Sequence, residues 1–396
     1  MATKNGEKPI RIAIVGLGMA GTVMVPSILA HPEFELVGAV DPNEDLRGKF
    51  AKDFGCPTHS SMEELVQRDD VDAVYIATPH QMHREHTVLA ADHGKHVIVE
   101  KPMALTLEDC DAMLASTRAN DTILIIGHTH GFDAPIKKMK DIIDSGRLGA
   151  LRMMVMFNYT DFLYRPRRAE ELDTSLGGGI LFNQVPHQID VARTLTGTDV
   201  ANLVAVTGQY DQTRPTEGAM MAMINFKDGV AATVTYGGYD HFDSDEFHGW
   251  IGEGGQKKAA AHGKTRATLN AVRASGGEEA MRANVYGYGG AMSQRMSEMP
   301  PTEDYPHFGT LIVSCEKGDL RHVPEGIAVY TDEGCEIIPM PAPRTGGGRS
   351  EVLDELSGAL LRNEPPVHDG EFGRGTLETC LAIIQSASDG KQVFLP

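Results

Sequence analysis

The chain has 396 residues, enough for two domains with separate cores, and its make-up (41% hydrophobic, 23% charged) is that of an ordinary globular protein. Acidic residues outnumber basic ones 55 to 36, so the formal charge is −19 and the long-range field repels nucleic acid and anionic membranes; a small anion can bind only at a local cluster of cations. Residues 1–9 lack the apolar core of a signal peptide, no stretch is long enough to span a membrane, and five scattered cysteines without a C-x-x-C pair point to a reducing cytoplasm.

Residues 11–15, Arg-Ile-Ala-Ile-Val, are rich in β-branched side chains and predict a buried strand. Gly16-Leu-Gly18-Met19-Ala20-Gly21 follows at once. An apolar-periodic segment then runs to Leu29, and residues 34–40 supply a second strand ending on Asp41. Strand, glycine turn, helix, strand and acid is the order of a dinucleotide-binding unit. The first glycine permits the tight turn, the second lets backbone N–H groups approach a pyrophosphate, and the third lets helix and strand pack closely. Asp41 lies twenty residues past Gly21, where a ribose-binding acid belongs. Its carboxylate accepts ribose hydroxyls and repels a 2′-phosphate, so NAD is expected over NADP; Arg47 and Lys49 are the nearby cations that would oppose that choice.

Strands and helices keep alternating to Gly127. Residues 73–77 read as a strand broken by Thr78-Pro79, 86–94 as a helix stopped by Gly94, and 97–99 as a strand stopped by Glu100-Lys101-Pro102. A helix over 107–120 and a strand over 122–126 follow. Residues 9–127 are thus expected to form an α/β, doubly wound Rossmann domain of six parallel strands. The texture then changes. An amphipathic helix spans 133–145, and strands are expected at 151–160, 200–209, 218–226, 230–236, 310–315 and 336–339. Helical patterns recur only at 187–195, 352–362 and 376–388. Residues 128–396 therefore predict an α+β domain on a largely antiparallel, open-faced sheet, with helices on one face and the other face left for a partner chain, as in a homodimer or homotetramer. The Gly-, Ala-, Lys- and Arg-rich stretch 252–301 reads as an insertion, helical over 265–274.

Thr78-Pro79 after the fourth strand, Glu100-Lys101-Pro102 after the fifth, and Gly177-Gly178-Gly179 ahead of His187 and Asp190 come in an order that resembles the glucose–fructose oxidoreductase/inositol dehydrogenase (Gfo/Idh/MocA) family of two-domain NAD(P)-dependent enzymes. The resemblance covers nearly the whole chain, and the EKP tripeptide is its most specific mark. Within the family, residues 158–168 (NYTDFLYRPRR), 170–173 (EELD), 214–218 (RPTEG) and 241–246 (HFDSDE) are similar to the phthalate cis-4,5-dihydrodiol (4,5-dihydroxyphthalate) dehydrogenases of aromatic degradation. The resemblance implies oxidation of a carboxylated cyclic cis-dihydrodiol with NAD, Lys101 as proton acceptor, and His83 beside the cofactor. Many relatives carry an aspartate where Asn183 stands, completing a Lys–Asp–His set. Asparagine cannot act as a base, so here Asn183 is expected to orient a hydroxyl or carboxylate.

The residues also argue for this chemistry directly. Ligands of open α/β sheets lie at the carboxyl ends of the strands. Thr78, Pro79, Glu100, Lys101 and His128 all follow such ends. A lysine desolvated beside a nicotinamide cation has its pKa lowered and can take a hydroxyl proton as hydride leaves the same carbon. The competing reading of Lys101 is a surface lysine at a strand end. His187, after the triple glycine and at a helix start, can shuttle that proton or bond the reacting oxygen; otherwise it serves only its own helix terminus. Arg165, Arg167 and Arg168, with Tyr159 and Tyr164, form the best local cation cluster for a carboxylate, unless they merely balance Glu170, Glu171 and Asp173. His130 joins the expected substrate side and His128 the nicotinamide side. His80, His83 and His86, with His128 and His130, invite a metal reading, but no cysteine or carboxylate completes a tetrahedral set, so no metal is expected. Two other functions fit less of the sequence: a sugar, inositol or other polyol dehydrogenase, and a non-catalytic NAD sensor, which would have no use for Lys101 or His187.

Overall fold

The computed structural model describes residues 8–275, 277–278, 281–282, 285, 287–291, 302–344 and 349–396. The chain forms two compact units. The first takes the described residues of Met1–His128, Glu279–Pro301 and Arg349–Arg374; the second takes those of Thr129–Glu278, Thr302–Gly348 and Gly375–Pro396. This departs from the single cut expected after residue 127. The helix Ser350–Arg362 returns to the first unit, where Asp354 meets His31 at 3.0 Å and Arg362 meets Glu33 at 2.8 Å. Ile126 N–H then donates to the His368 carbonyl, so the returning segment also closes the sheet's last edge. Such long-range returns leave no local mark in the sequence.

In the first unit β1 (Ile10–Val15), β2 (Phe34–Val40), β3 (Thr58–His59), β4 (Ala73–Ile76), β5 (His96–Val99) and β6 (Leu124–Ile126) pair in parallel in the order β3-β2-β1-β4-β5-β6. Helices α1 (Met19–Ala30), α2 (Glu44–Phe54), α3 (Met62–Val66), α4 (His83–Asp92) and α5 (Leu107–Ala119) make the crossovers. Strands covered on both faces read as continuous apolar runs, and Ile12 to Val15 and Ala73 to Ile76 are all fully buried. The strand order reverses between β1 and β4, which places a switch point where the loops after those strands diverge. Asn43 starts α2 by accepting the N–H groups of Asp45 and Leu46, and Gly55 at φ +67° ends it.

The second unit is built on α6 (Ala134–Asp144), β7 (Leu151–Tyr159), α7 (Gly179–Asn183), α8 (Val185–Thr196), β8 (Val200–Gly208), β9 (Ala219–Phe226), β10 (Ala231–Gly237), α9 (Thr265–Ala274), β11 (Thr310–Cys315), β12 (Gly318–Val323), β13 (Gly326–Thr331), β14 (Gly334–Pro339), a last helix Gly370–Asp389 entering from the first unit, and β15 (Val393–Phe394). The nine strands run β14-β13-β12-β11-β7-β10-β9-β8-β15, and only β7 and β10 pair in parallel. Met139, Ile189 and Ile383 of three helices pack with Met154, Ile224 and Val313 of the strands in one core. The alternate residues Met153, Val206, Met221, Met223 and Ile312 stay exposed on the other face. Within the insertion, α9 forms where expected and buries Leu269 against Leu163 and Tyr164. Its last residues, 292–301, lie outside the described part of the chain.

Candidate active site

The glycine turn of the first unit is shaped by contact. Gly16 has φ +99°, and a Cβ there would stand 2.7 Å from the Ala77 carbonyl oxygen. A Cβ on Gly21 would stand 2.0 Å from the Gly16 oxygen, whereas Gly18 faces open space. The first and third glycines are therefore required by the fold, and the second leaves room at the start of α1, where the helix N–H groups of Met19 and Ala20 lie. Asp41 is buried at the end of β2, its two oxygens held at 2.8 Å by the N–H groups of Leu17 and Asn43. Arg47 donates to the carbonyls of Asp41 and Pro42 at 2.7 and 2.9 Å, so it stands beside the acid, bound to backbone. An open second glycine beside a helix start, with a fixed carboxylate after β2, fits a dinucleotide.

The loops after β4 and β5 are tied together. His83 is fully buried, with Nδ1 2.9 Å from the Pro102 carbonyl and Nε2 3.0 Å from the Thr78 carbonyl. It clamps Thr78-Pro79 to Lys101-Pro102, and burial lowers its pKa. His86 bonds Thr78 Oγ1 at 3.1 Å. The Glu100 side chain turns inward to the Tyr75 hydroxyl and to Arg349 Nη1, the latter at 2.9 Å. Burial alone would raise the Glu100 pKa, but the Arg349 charge and the Tyr75 hydrogen bond bring it down to about 2. Expected as a cofactor contact, Glu100 uses its carboxylate to hold together the strand ends from which half-buried Lys101 follows. His128 is buried just past β6, the last residue of the first unit.

His130 lies in the second unit, two residues beyond His128. Its Nδ1 bonds Asp133 at 2.6 Å and its Nε2 is 3.5 Å from Glu253. Burial disfavours its charge, yet Asp133 and Glu253 outweigh that and raise His130 to about 9, which favours the imidazolium. The His187 ring packs 4.9 Å from it, and both rings lie against Phe308. His187 stands in the first turn of α8, a helix buried almost throughout. Asn183 Nδ2 donates to the carbonyls of Gly177 and Gly179 at 3.1 and 2.8 Å, closing the glycine turn ahead of that helix. The glycines are close to their own chain: a Cβ on Gly178 would be 2.7 Å from the Asp173 oxygen, and one on Gly179 2.2 Å from Thr216 Oγ1.

Members of the expected arginine and tyrosine cluster each have partners of their own. Arg165 bonds Asp161 at 2.8 Å and reaches to 3.9 Å from Glu253, which joins it to the His130 group. Arg167 stacks 3.9 Å over Phe162, donates to that residue's carbonyl, and approaches Glu171. Arg168 pairs with Glu170 and Glu171 in a capping arrangement. Tyr164 is buried, donates to Asp211 at 2.8 Å and lies under Arg266. Tyr159 points to the opposite face of the sheet from Asn158 and its register partner Tyr236, and Tyr236 is the residue that stacks with Phe308. Tyr164, Arg167 and Arg168 thus engage partners supplied by folding, and Arg165 shares Glu253 with His130. Asp133, Glu253, Phe308, Tyr75 and Arg349 are the residues that sequence reasoning missed. Asp133 could have been found as an acid three residues after His130, and Glu253 as a lone acid in a glycine run. Among the described residues no group of three His, Cys, Asp or Glu could hold a metal ion. Nor is any described helix long and apolar enough to cross a membrane.

Comparison with known proteins gives the same reading of the two units. The oxidoreductase family with an NAD-binding Rossmann fold matches residues 10–128, and the GFO/IDH/MocA C-terminal domain matches residues 136–255. A 1-carboxy-3-chloro-3,4-dihydroxycyclohexa-1,5-diene dehydrogenase of Comamonas testosteroni is 44% identical over 95% of this chain and 94% of its own. A solved Bordetella bronchiseptica RB50 protein, named only as a dehydrogenase, is 44% identical and superposes with a TM-score of 0.93 over 98% of this chain and all of its own. A Bordetella pertussis dehydrogenase in complex with NADH and UDP-GlcNAcA, 20% identical with a TM-score of 0.69 over 98% of this chain and 99% of its own, shares the fold. With its NAD-binding Rossmann domain and its mostly antiparallel second domain, the chain belongs to the Gfo/Idh/MocA family of oxidoreductases.

Proposed function

We propose that this oxidoreductase is an NAD-dependent dehydrogenase of a carboxylated cyclic cis-dihydrodiol, of which phthalate cis-4,5-dihydrodiol is one. The observation that carries the reading is the pair of cations, His130 and Arg165, facing a single carboxylate beside His187. The relative from Comamonas, whose name describes a carboxylated dihydroxycyclohexadiene as substrate, supports the same class. Gly16, Gly18, Gly21 and the N–H groups of Met19 and Ala20 would hold the pyrophosphate, and Asp41 the ribose. Bound NAD supplies the hydride acceptor. Lys101 takes the proton from the carbinol hydroxyl while the C–H hydrogen leaves with its electron pair. The carbon becomes a ketone, which tautomerises to an aromatic diol and draws the reaction forward. His187 orients the reacting oxygen. Asn183 acts through the glycine turn that it closes, as a positioning residue, and His83 likewise positions Lys101 through Pro102. We further propose that the enzyme works in the cytoplasm as a homodimer or larger oligomer joined at the exposed sheet face. NADH formation from a panel of substrates tests the activity. Carboxylated cis-dihydrodiols should turn over and myo-inositol should not; turnover of inositol or sugars alone would make this a polyol enzyme, and silence across the whole panel would favour a sensor.

A further inference from the structure

We propose that His130 and Arg165 form the seat for a substrate carboxylate, and that Glu253 fills this seat in the free protein and leaves it when substrate binds. The inference rests on the carboxylated-substrate reading and goes beyond it to a residue that selects the substrate. The two oxygens of Glu253 face different cations, Oε1 toward His130 Nε2 at 3.5 Å and Oε2 toward Arg165 Nη2 at 3.9 Å. This is the bridging arrangement a bound carboxylate would adopt.

Each cation already has its own anion behind it. Asp133 holds His130 Nδ1 at 2.6 Å and Asp161 holds Arg165 Nε at 2.8 Å, both at the length of charge-assisted hydrogen bonds. Those two acids fix the cations. Glu253 is a third carboxylate, and it stands farther from either cation than the acid behind that cation does. The His130 side chain is only 6% exposed, whereas those of Glu253 and Arg165 are 35% and 39% exposed, so His130 lies at the floor of the seat and the other two at its open side.

The backbone around Glu253 is a hydrogen-bonded turn, its own carbonyl accepting the His307 N–H at 3.2 Å, so what leaves the seat is the side chain. Gly252, Gly254 and Gly255 flank it in a short turn between Ile251 and Lys257, which form an isolated antiparallel bridge. Gly252 N–H donates to the Gln256 carbonyl, and Gly255 has φ +82°. A second carboxylate entering the seat would face Glu253 across a few ångströms, and two like charges there do not both stay. A carboxylated ligand gains the two cations when it expels Glu253. An uncharged diol gains neither, so Glu253 acts against uncharged polyols.

The test uses 3,4-dihydroxybenzoate and catechol, which differ only in the carboxylate, titrated by calorimetry onto the full-length protein loaded with NADH. Glu253→Gln should tighten 3,4-dihydroxybenzoate by about tenfold and leave catechol unchanged, because the competing charge is gone while the shape is kept. Arg165→Gln should weaken 3,4-dihydroxybenzoate by about tenfold or more, again sparing catechol. Unchanged or weaker binding of 3,4-dihydroxybenzoate by Glu253→Gln, or an equal shift for both probes, overturns the proposal. Neither titration needs turnover. A protein that oxidises no carboxylated dihydrodiol but shows this split keeps the seat and loses the proposed activity; one that oxidises them without the split keeps the activity and loses the seat.

Discussion

Glu100 is a carboxylate shut away from water that stays ionised because Arg349 and Tyr75 meet it there. Its folded pKa of about 2 lies below the ordinary 4.5. Its contribution is therefore fully present above about pH 4.5 and is lost as pH falls through about 2, a difference worth about 3 kcal/mol. Arg349→Leu should lower stability by about 3–5 kcal/mol, since removing one partner leaves a buried charge uncompensated. Urea unfolding checks this: the variant's deficit should be largest near neutral pH and should shrink as pH falls below about 4.5, where the wild type loses what the pair supplies and the unpaired carboxyl of the variant is relieved by taking up a proton; a deficit that does not change with pH would refute the buried pair. The EKP tripeptide was legible because its residues are contiguous; Arg349, its distant partner, was not. The same limit sorted the arginines. In sequence Arg165, Arg167 and Arg168 look equivalent, and only the folded positions of Glu253, Phe162 and Glu171 tell them apart.

At the scale of elements, the nine-stranded sheet leaves Met153, Val206, Met221, Met223 and Ile312 exposed on one face. Two copies packed face to face would cover these side chains, which is the ground for the proposed oligomer. Light scattering at micromolar concentration should show a dimer or larger assembly, and the double variant Met221→Glu/Met223→Glu should be monomeric with its inner core untouched. A monomeric wild type would contradict this. The strands of this face were readable as runs bounded by turn signals such as Lys227-Asp228-Gly229, but which side of each faces the core was not: Met220 to Ile224 are all apolar and alternate only in burial. The hairpin of β12 and β13 escaped because Asp319, Arg321 and His322 blur the period, and β3 and β15 because two residues carry no period at all. The short helical turns between Phe162 and Leu176 are built on local caps such as Asp173, which no hydrophobic pattern announces.

For the whole molecule, the division into a nucleotide unit and an open-faced second unit was legible because each has its own periodicity. The chain's return to the first unit at Arg349–Arg374 was not, because a helix looks the same whichever core it joins. What the full chain is proposed to do is move one hydride and one proton from a carboxylated dihydrodiol, and Lys101 is where that account is most exposed. Lys101→Ala leaves Gly16, Gly18, Gly21 and Asp41 in place, so NAD affinity should change little. Single-turnover formation of NADH from a carboxylated cis-dihydrodiol should slow by about a hundredfold or more, the scale for losing a positioned general base. The residual rate should rise with pH as hydroxide takes over the proton, and the loss should exceed that of His187→Ala. A Lys101→Ala enzyme that forms NADH at a near-normal rate would contradict the account and pass the base role to His187.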